Sequence, residues 1–244
     1  MVLVVRVIYG FMRIKNEARW IERVLKSMLA VCERIFVLDD HSTDETRALC
    51  NSFHPRVIVY PSPFDGVQET RDKNYLMHLI EADVSDGDWI LSIDGDEEIV
   101  SDDRDTIRAI AAAESGPDCV RFQVIYLWDS ERQKRVDGIY GGFRRSSMFR
   151  MRKGARFSSP NGGGFHCGNA PEPRWVSDST VRLLHYGYML KEDRLRKYEF
   201  YNAPDKQPIP ACEDGYRHMV IGDVFPAEAR FMHAGPLQLQ PLNT

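Results

Sequence analysis

Two carboxylates flank a glycine at Asp94-Gly95-Asp96, directly after the apolar residues Ile90, Leu91 and Ile93. Glycine permits a tight backbone turn, so alternate side chains can reach into one space. Close carboxylates raise each other's pKa unless a cation lies between them. Hard oxygen ligands suit Mn²⁺ or Mg²⁺, which leave room for phosphate oxygens of a substrate. A solvated acidic turn is the plainer alternative, and the position behind an apolar strand favours the metal. A second acidic pair, Asp39-Asp40, follows another apolar run. A carboxylate there can accept from a base N–H or from ribose hydroxyls, or it can cap the next helix. Arg13, Lys15, Arg71 and Lys73 supply positive charge nearby, with solvated surface charge as the alternative.

These residues need elements that carry them to one place. Val2 to Tyr9 is a continuous apolar run, expected as a buried first strand with Arg13 in the loop after it. Trp20, Ile21, Val24, Leu25, Met28 and Leu29 recur at helical spacing and give one apolar face. Arg34 to Leu38 reads as a second strand, and Ser42-Thr43-Asp44-Glu45 as a capping box opening a helix. Val57 to Tyr60 and Trp89 to Ile93 are the third and fourth strands, with a helix from Gln68 to Ala82 between them. This alternation predicts an α/β fold with a mainly parallel sheet and helices on both faces. In such sheets ligands bind outside the carboxyl ends of the strands. The Arg13 loop, Asp39-Asp40 and the Asp94-to-Glu98 cluster all fall at such ends.

The second half is less regular. Cys119 to Leu127 alternates as a half-buried strand, and Ser147 to Met151 and Val181 to Leu184 are further strand candidates. Arg152 to Trp175 holds five of the chain's 17 glycines, a length and composition expected of a lid. Six of the 13 prolines lie beyond Ala203. Residues 203–244 are therefore expected as a tail packed on a domain of residues 1–202, itself divided near residue 100. Tyr126, Trp128, Tyr140 and Trp175 could stack on a ring or fill the core.

The 244 residues carry 32 basic and 36 acidic side chains, a formal charge of −4. That excludes a polybasic coat and weakens a nucleic-acid partner. No stretch approaches 18 consecutive apolar residues, so no membrane span is expected. Five cysteines, none in a CxxC pair, predict reduced thiols in a cytoplasmic protein.

Three stretches carry a resemblance: Arg13-Ile14-Lys15-Asn16-Glu17, Val37 to Thr46 with its Asp39-Asp40 pair, and Asp88 to Glu97 with its Asp94-Gly95-Asp96 turn. Together they resemble the GT-A glycosyltransferases, most closely family 2, over about residues 2 to 100. The resemblance implies a Rossmann-like nucleotide-binding half and a smaller, looser acceptor half. It implies nucleotide contacts at Met12, Arg13, Asn16, Asp39, Asp40, Arg71, Lys73, Asp94 and Gly95. It implies a Mn²⁺ or Mg²⁺ ion on Asp94 and Asp96, with the strand-end His185 as a further ligand; a hydrogen-bonded His185 is the alternative. Lys191, Arg194 and Lys197, at i, i+3 and i+6 on a predicted helix, could face diphosphate or solvent. Glu172 and Asp178 are the candidate bases, with Asp137 also open. Glu172 is preferred because it lies in the glycine-rich segment.

The expected reaction is glycosyl transfer from a nucleotide-diphosphate sugar, inverting, with a UDP-sugar before GDP or dTDP sugars. Such transfer passes through an oxocarbenium-like state while the leaving diphosphate gains charge. The acceptor is open among a glycan, a lipid-linked sugar and a macromolecule. The macromolecule could be a protein or a hydroxylated DNA base, so nucleic acid enters only as acceptor, near a patch such as Arg144-Arg145 to Arg156. The rivals are an inactive nucleotide-sugar binding module and a nucleotidyltransferase. An intact Asp94-Gly95-Asp96 disfavours the first. Tyr9 to Arg13 lacks the glycine-rich signature that the second needs.

Overall fold

The structure, a computed structural model, describes residues 6–159, 167–203 and 215–242. Its strands and helices run β1 (Ile8–Ile14), α1 (Ile21–Leu29), β2 (Arg34–Asp39), α2 (Thr46–Asn51), β3 (Val57–Pro61), α3 (Glu69–Ile80), β4 (Trp89–Ser92) and β5 (Glu97–Ile99). They continue with α4 (Arg104–Ala112), β6 (Cys119–Trp128), β7 (Ser130–Arg135), β8 (Arg144–Arg150), β9 (Val176–His185), α5 (Lys191–Asn202) and β10 (Leu239–Pro241). The chain forms two compact units, Met1–Phe122 with Arg144–Arg182, and Gln123–Phe143 with Leu183–Thr244. The expected divisions at 100 and 202 do not follow these boundaries, because β6 and β9 each begin in the first unit and end in the second.

In the first unit the strand order is β8-β4-β1-β2-β3. β4, β1, β2 and β3 are parallel, and β8 is antiparallel to β4. The parallel α/β layout expected from the alternation is thus present. Alternate residues of β1 and β2 serve opposite faces. Phe11, Phe36 and Leu38 pack with Leu76, Met77 and Ile80 of α3, each buried side chain adding about 1.5–3 kcal/mol. On the other face, a Cβ at Gly10 would lie 2.8 Å from Met28 of α1 and 2.8 Å from Ile35. A bare glycine lets helix and strand approach there.

Two local expectations are corrected. The first strand runs from Ile8 to Ile14, not from Val2 to Tyr9; residues 1–5 lie outside the described residues. Its register, Tyr9 against Arg34 through Ile14 against Asp39, buries Phe11, Met12 and Ile14. Arg13 therefore belongs to the strand's last turn of pleat and not to a loop. The stretch Ser42 to Glu45 does not form a capping box. α2 begins at Thr46 with no side-chain cap. The Ser42 hydroxyl instead accepts from the Asn16 N–H at 3.0 Å, because it ties this loop to the one after β1.

The second unit is built on the antiparallel ribbon β6-β7-β10. Val124, Tyr126, Trp128, Tyr140, Ile221 and Ala234 form its core. Met219, Val220 and Ile221 are fully or nearly buried, so part of the expected tail supplies core to this unit. Among the described residues no helix is long and apolar enough to cross a membrane. Cys32, Cys50, Cys119 and Cys167 are free thiols.

Candidate active site

The carboxyl ends of β1, β2 and β4 bring the acidic and basic clusters of the first unit together. The loops after β1 and β2 are laced to each other. Asn16, at φ 55°, accepts from the Thr43 N–H at 2.8 Å through Oδ1. The Glu17 N–H donates to the Thr46 hydroxyl at 2.7 Å. The loop after β4 closes on the same place: a Cβ at Gly95 would meet Glu17 Cγ at 2.9 Å and Ile14 Cγ2 at 3.0 Å. Glycine at position 95 is what lets the acidic turn approach the end of β1.

Arg13 lies between two buried carboxylates. Its Nη2 donates to Asp40 Oδ2 at 2.5 Å, and its Nε to Asp72 Oδ2 at 2.8 Å. Asp72 is fully buried and also accepts from Arg71 Nε at 2.8 Å. Arg71 lies over the Phe64 ring, 4.3 Å from its centroid. Lys15 Nζ stands 3.6 Å from Asp40 Oδ2. Arg13 Nη2 and Lys15 gather on one oxygen of Asp40, Oδ2; its other oxygen, Oδ1, is buried with no hydrogen-bond partner among the described residues. Asp40 is 1% exposed, and a buried unpaired acceptor is costly unless a ligand fills it. Asp39 is differently used, accepting from the Ser42 N–H at 3.2 Å.

The second cluster surrounds Asp94. Arg145 on β8 donates to Asp94 Oδ2 at 2.8 Å and also to Glu97 Oε2. The Asp94 N–H donates to the same Glu97 oxygen at 2.9 Å. Desolvation in the crowded turn acts upward on the Asp94 carboxyl, but Arg145 and Lys73 outweigh it and hold the pKa below the usual value. Glu97 goes the other way. Burial pushes it up to about 7 against the pull of Arg145, and the charges of Asp94 and Asp96 add to the rise. Asp96 is 4% exposed. Among the described residues there is no group of three or more His, Cys, Asp and Glu side chains placed to hold a metal. An ion on Asp94 and Asp96 would therefore depend on substrate oxygens for much of its shell.

The other expected site residues are placed as follows. Met12 is buried in β1, so its side chain is core. Lys73 is nearly buried on α3 and donates to Asn169 Oδ1 at 2.7 Å. His185 belongs to the second unit, its ring 5.0 Å from that of Tyr126 and 4.9 Å from that of Tyr188. Arg194 is 2% exposed, and the diphosphate role expected for it is overturned. Its Nε and Nη2 hold Asp223 at 2.6 and 3.1 Å, Nη2 also holds Asp129 at 2.9 Å, and Nη1 serves the Tyr188 and Met189 carbonyls. A guanidinium so enclosed is an internal brace of the second unit. Lys191 is exposed, 4.0 Å from Asp223, and Lys197 Nζ lies 4.9 Å from the Tyr188 ring centroid. Tyr126, Trp128 and Tyr140 are buried core, while Trp175 is exposed. Asp137 is locked in a buried pair with Arg135 at 2.8 Å.

Glu172 is exposed and accepts from the Ser158 hydroxyl at 3.2 Å. Ser158 follows Phe157, whose N–H and carbonyl bond the Asn74 side chain of α3 at 2.8 and 3.0 Å. Asp178 on β9 pairs with Arg121 at 2.6 Å and stands 3.9 Å from Arg144. Residues 160–166 of the expected lid lie outside the described residues. Asp72, Glu97, Arg145 and Asn169 were not among the expected site residues. Asp72 had a local signal, a carboxylate set between Arg71 and Lys73, and Glu97 lies inside the acidic cluster from Asp94 to Glu98. Arg145 meets Asp94 across 51 residues, a pairing with no sequence pattern.

The layout, a parallel sheet with an acidic pair behind β2 and an Asp-Gly-Asp turn behind β4, is that of a GT-A glycosyltransferase domain. A crystal structure of S. aureus TarS 1-349 in complex with UDP-GlcNAc superposes with a TM-score of 0.52 at 14% identity, over 81% of this chain and 67% of that one. The family described as Glycosyl transferase family 2 matches residues 11–174, and the chain belongs to that family. Similar relatives include an uncharacterized glycosyltransferase of Rickettsia bellii, 27% identical over 157 residues, covering 64% of this chain and 50% of the relative. Another, of Rickettsia felis, is 28% identical over 152 residues, covering 62% of this chain and 50% of the relative. The chain thus spans about half the length of these curated relatives.

Proposed function

We propose that this chain transfers a sugar from a nucleotide-diphosphate sugar, with a UDP-sugar as donor. The observation that carries the reading is the unpartnered Asp40 Oδ1, buried at the carboxyl ends of the parallel strands. An acceptor in that place suits an imide N–H, as in uracil, or a ribose hydroxyl. Arg13 and Lys15 fix the other Asp40 oxygen, so the carboxylate is oriented before the nucleotide arrives. Asn16 and Asp39 hold the two loops that frame the base, and Arg71 and Lys73 add positive charge for the diphosphate.

Asp94 and Asp96 are the proposed holders of Mn²⁺ or Mg²⁺. Their hard oxygens fit either ion, with phosphate oxygens completing the shell. Bound there, the ion supplies Lewis acidity to the leaving diphosphate. Arg145 keeps Asp94 ionised and therefore able to ligate. Glu172 is the proposed base for an inverting transfer: its described contact is a serine hydroxyl, which leaves the carboxylate able to accept an acceptor-hydroxyl proton. Asp178 is tied to arginine and is the second choice. His185 as a ligand, and Lys191 and Lys197 as diphosphate contacts, remain proposals of the same reading.

The acceptor is proposed as a glycan or lipid-linked sugar, with a protein or hydroxylated base as the second reading. The rival of another class is a nucleotide-sugar binding module without turnover. A panel of UDP-, GDP- and dTDP-sugars, screened by thermal shift and by mass spectrometry for released nucleotide, tests the proposal with and without Mn²⁺. Stabilisation and slow nucleotide release with UDP-sugars support it. Stabilisation without release favours the binding module, and no response to any donor overturns it.

A further inference from the structure

Lys73 and Asn169 form a nearly buried pair beside the acidic turn, 7% and 6% exposed. Lys73 Nζ donates to Asn169 Oδ1 at 2.7 Å. An ammonium can only donate, so the oxygen end of the amide must face it and the NH₂ end must face away. That NH₂ group, Nδ2, is buried and has no hydrogen-bond partner among the described residues. The arrangement is braced. Glu69, one turn before Lys73 on α3, stands 3.6 Å from its ammonium and accepts from the Cys167 N–H at 3.3 Å. Asn74, the next residue on the helix, holds Phe157 through two hydrogen bonds. Lys73 is also near enough to Asp94 to draw its carboxyl down.

An amide held by its oxygen, with two N–H donors turned toward a place that offers them nothing, is complementary to an oxygen acceptor brought by a ligand. The donor site is the place where such oxygens arrive. We infer that Asn169 Nδ2 donates to an oxygen in the diphosphate–sugar half of the donor, making Asn169 a specificity residue that reads beyond the nucleoside. The inference rests on the nucleotide-sugar reading above. The acceptor oxygen is a β-phosphate oxygen or a sugar hydroxyl, both beyond what UMP carries, and both take the same N–H donor. Lys73 works with it by fixing the amide's direction.

The test is isothermal titration of UMP, UDP and UDP-glucose, with Mn²⁺, into the wild type, Asn169→Ala and Asn169→Asp. Asn169→Asp keeps the shape and an oxygen for Lys73 but replaces the N–H donor with an acceptor. The expected result is UMP affinity kept within about twofold in both variants, which also shows that they fold. UDP-glucose affinity should fall about tenfold or more, by at least as much in Asn169→Asp. A matching loss for UDP assigns the contact to phosphate, and a loss confined to UDP-glucose assigns it to a sugar hydroxyl. Wild-type affinity for all three ligands in Asn169→Asp would overturn the inference, since Asn169 would then only brace Lys73. Equal losses for all three, UMP included, would overturn it as well. Failure of the wild type itself to bind any of them overturns the nucleotide-sugar reading and this inference together.

Discussion

Arg13 and Asp72 are 59 residues apart, and the Arg13 Nε donates to a fully buried Asp72 oxygen at 2.8 Å. The same carboxylate holds Arg71, so one buried charge aligns two cations from different elements. Removing one partner of such a pair leaves the other uncompensated, which costs about 3 kcal/mol or more. Asp72→Ala should therefore lower the unfolding free energy in urea by about that amount, and weaken UDP binding through misplaced Arg13 and Arg71. A variant as stable as the wild type would show that solvent already neutralises both arginines.

The parallel half was legible because its cues are local. The apolar runs at 34–38 and 89–93 end abruptly on carboxylates, and a strand buried on both faces permits no other reading. The start of β1 was misread because Val2 to Tyr9 and Ile8 to Ile14 are both apolar enough. Only pairing with β2 decides between them, and pairing is not a local property. Arg194 was misread for a related reason. Its i, i+3, i+6 spacing with Lys191 and Lys197 looks like a solvated cationic face, and nothing near it announces Asp129 and Asp223. Arg145 reads in the sequence only as part of a basic patch and Asn169 carries no signal, because their partners are Asp94 and Lys73, 51 and 96 residues away.

Asp96→Ala should separate metal from nucleotide. If Asp94 and Asp96 hold a cation on the diphosphate, UDP should raise the melting temperature far more in Mn²⁺ than in EDTA. A ligand at a hundredfold excess over Kd adds about 2.7 kcal/mol. Asp96→Ala should abolish the Mn²⁺-dependent part and keep the fold. Equal UDP shifts in Mn²⁺ and EDTA for the wild type would remove the metal from the account.

Arg194→Lys tests the internal brace. Lysine cannot replace a forked guanidinium that serves two carboxylates and two carbonyls, so stability should fall by about 3 kcal/mol. UDP affinity should stay within about twofold. A stable variant that had lost UDP binding would return Arg194 to the diphosphate.

Asp118 gives a pH signature. Burial pushes its pKa up, but the N–H groups of Arg174 and Trp175, with Arg152, outweigh this and hold it below its usual 3.8. A depressed carboxyl stabilises the fold above its unfolded pKa, and the contribution is lost as pH falls through the folded value. Hydrogen exchange at the Arg174 and Trp175 amides, corrected for the intrinsic rate, should show protection at pH 6 that fades below pH 3.8. In Asp118→Ala it should be absent at both. Protection that survives in the variant would mean that another acceptor holds this turn.

The central claim is that Asp40 presents its open oxygen to a nucleotide, and the most direct measurement is UDP affinity by isothermal titration in wild type and Asp40→Ala. Arg13 retains Asp72 in that variant, so the end of β1 keeps its main anchor, and a circular dichroism melt confirms the fold. The account predicts a loss of about tenfold or more, equivalent to about 1.4 kcal/mol, with Asp39→Ala acting less directly through the Ser42 loop. Affinity within about threefold of wild type in a folded Asp40→Ala protein would contradict it, and the nucleotide site would have to be sought elsewhere.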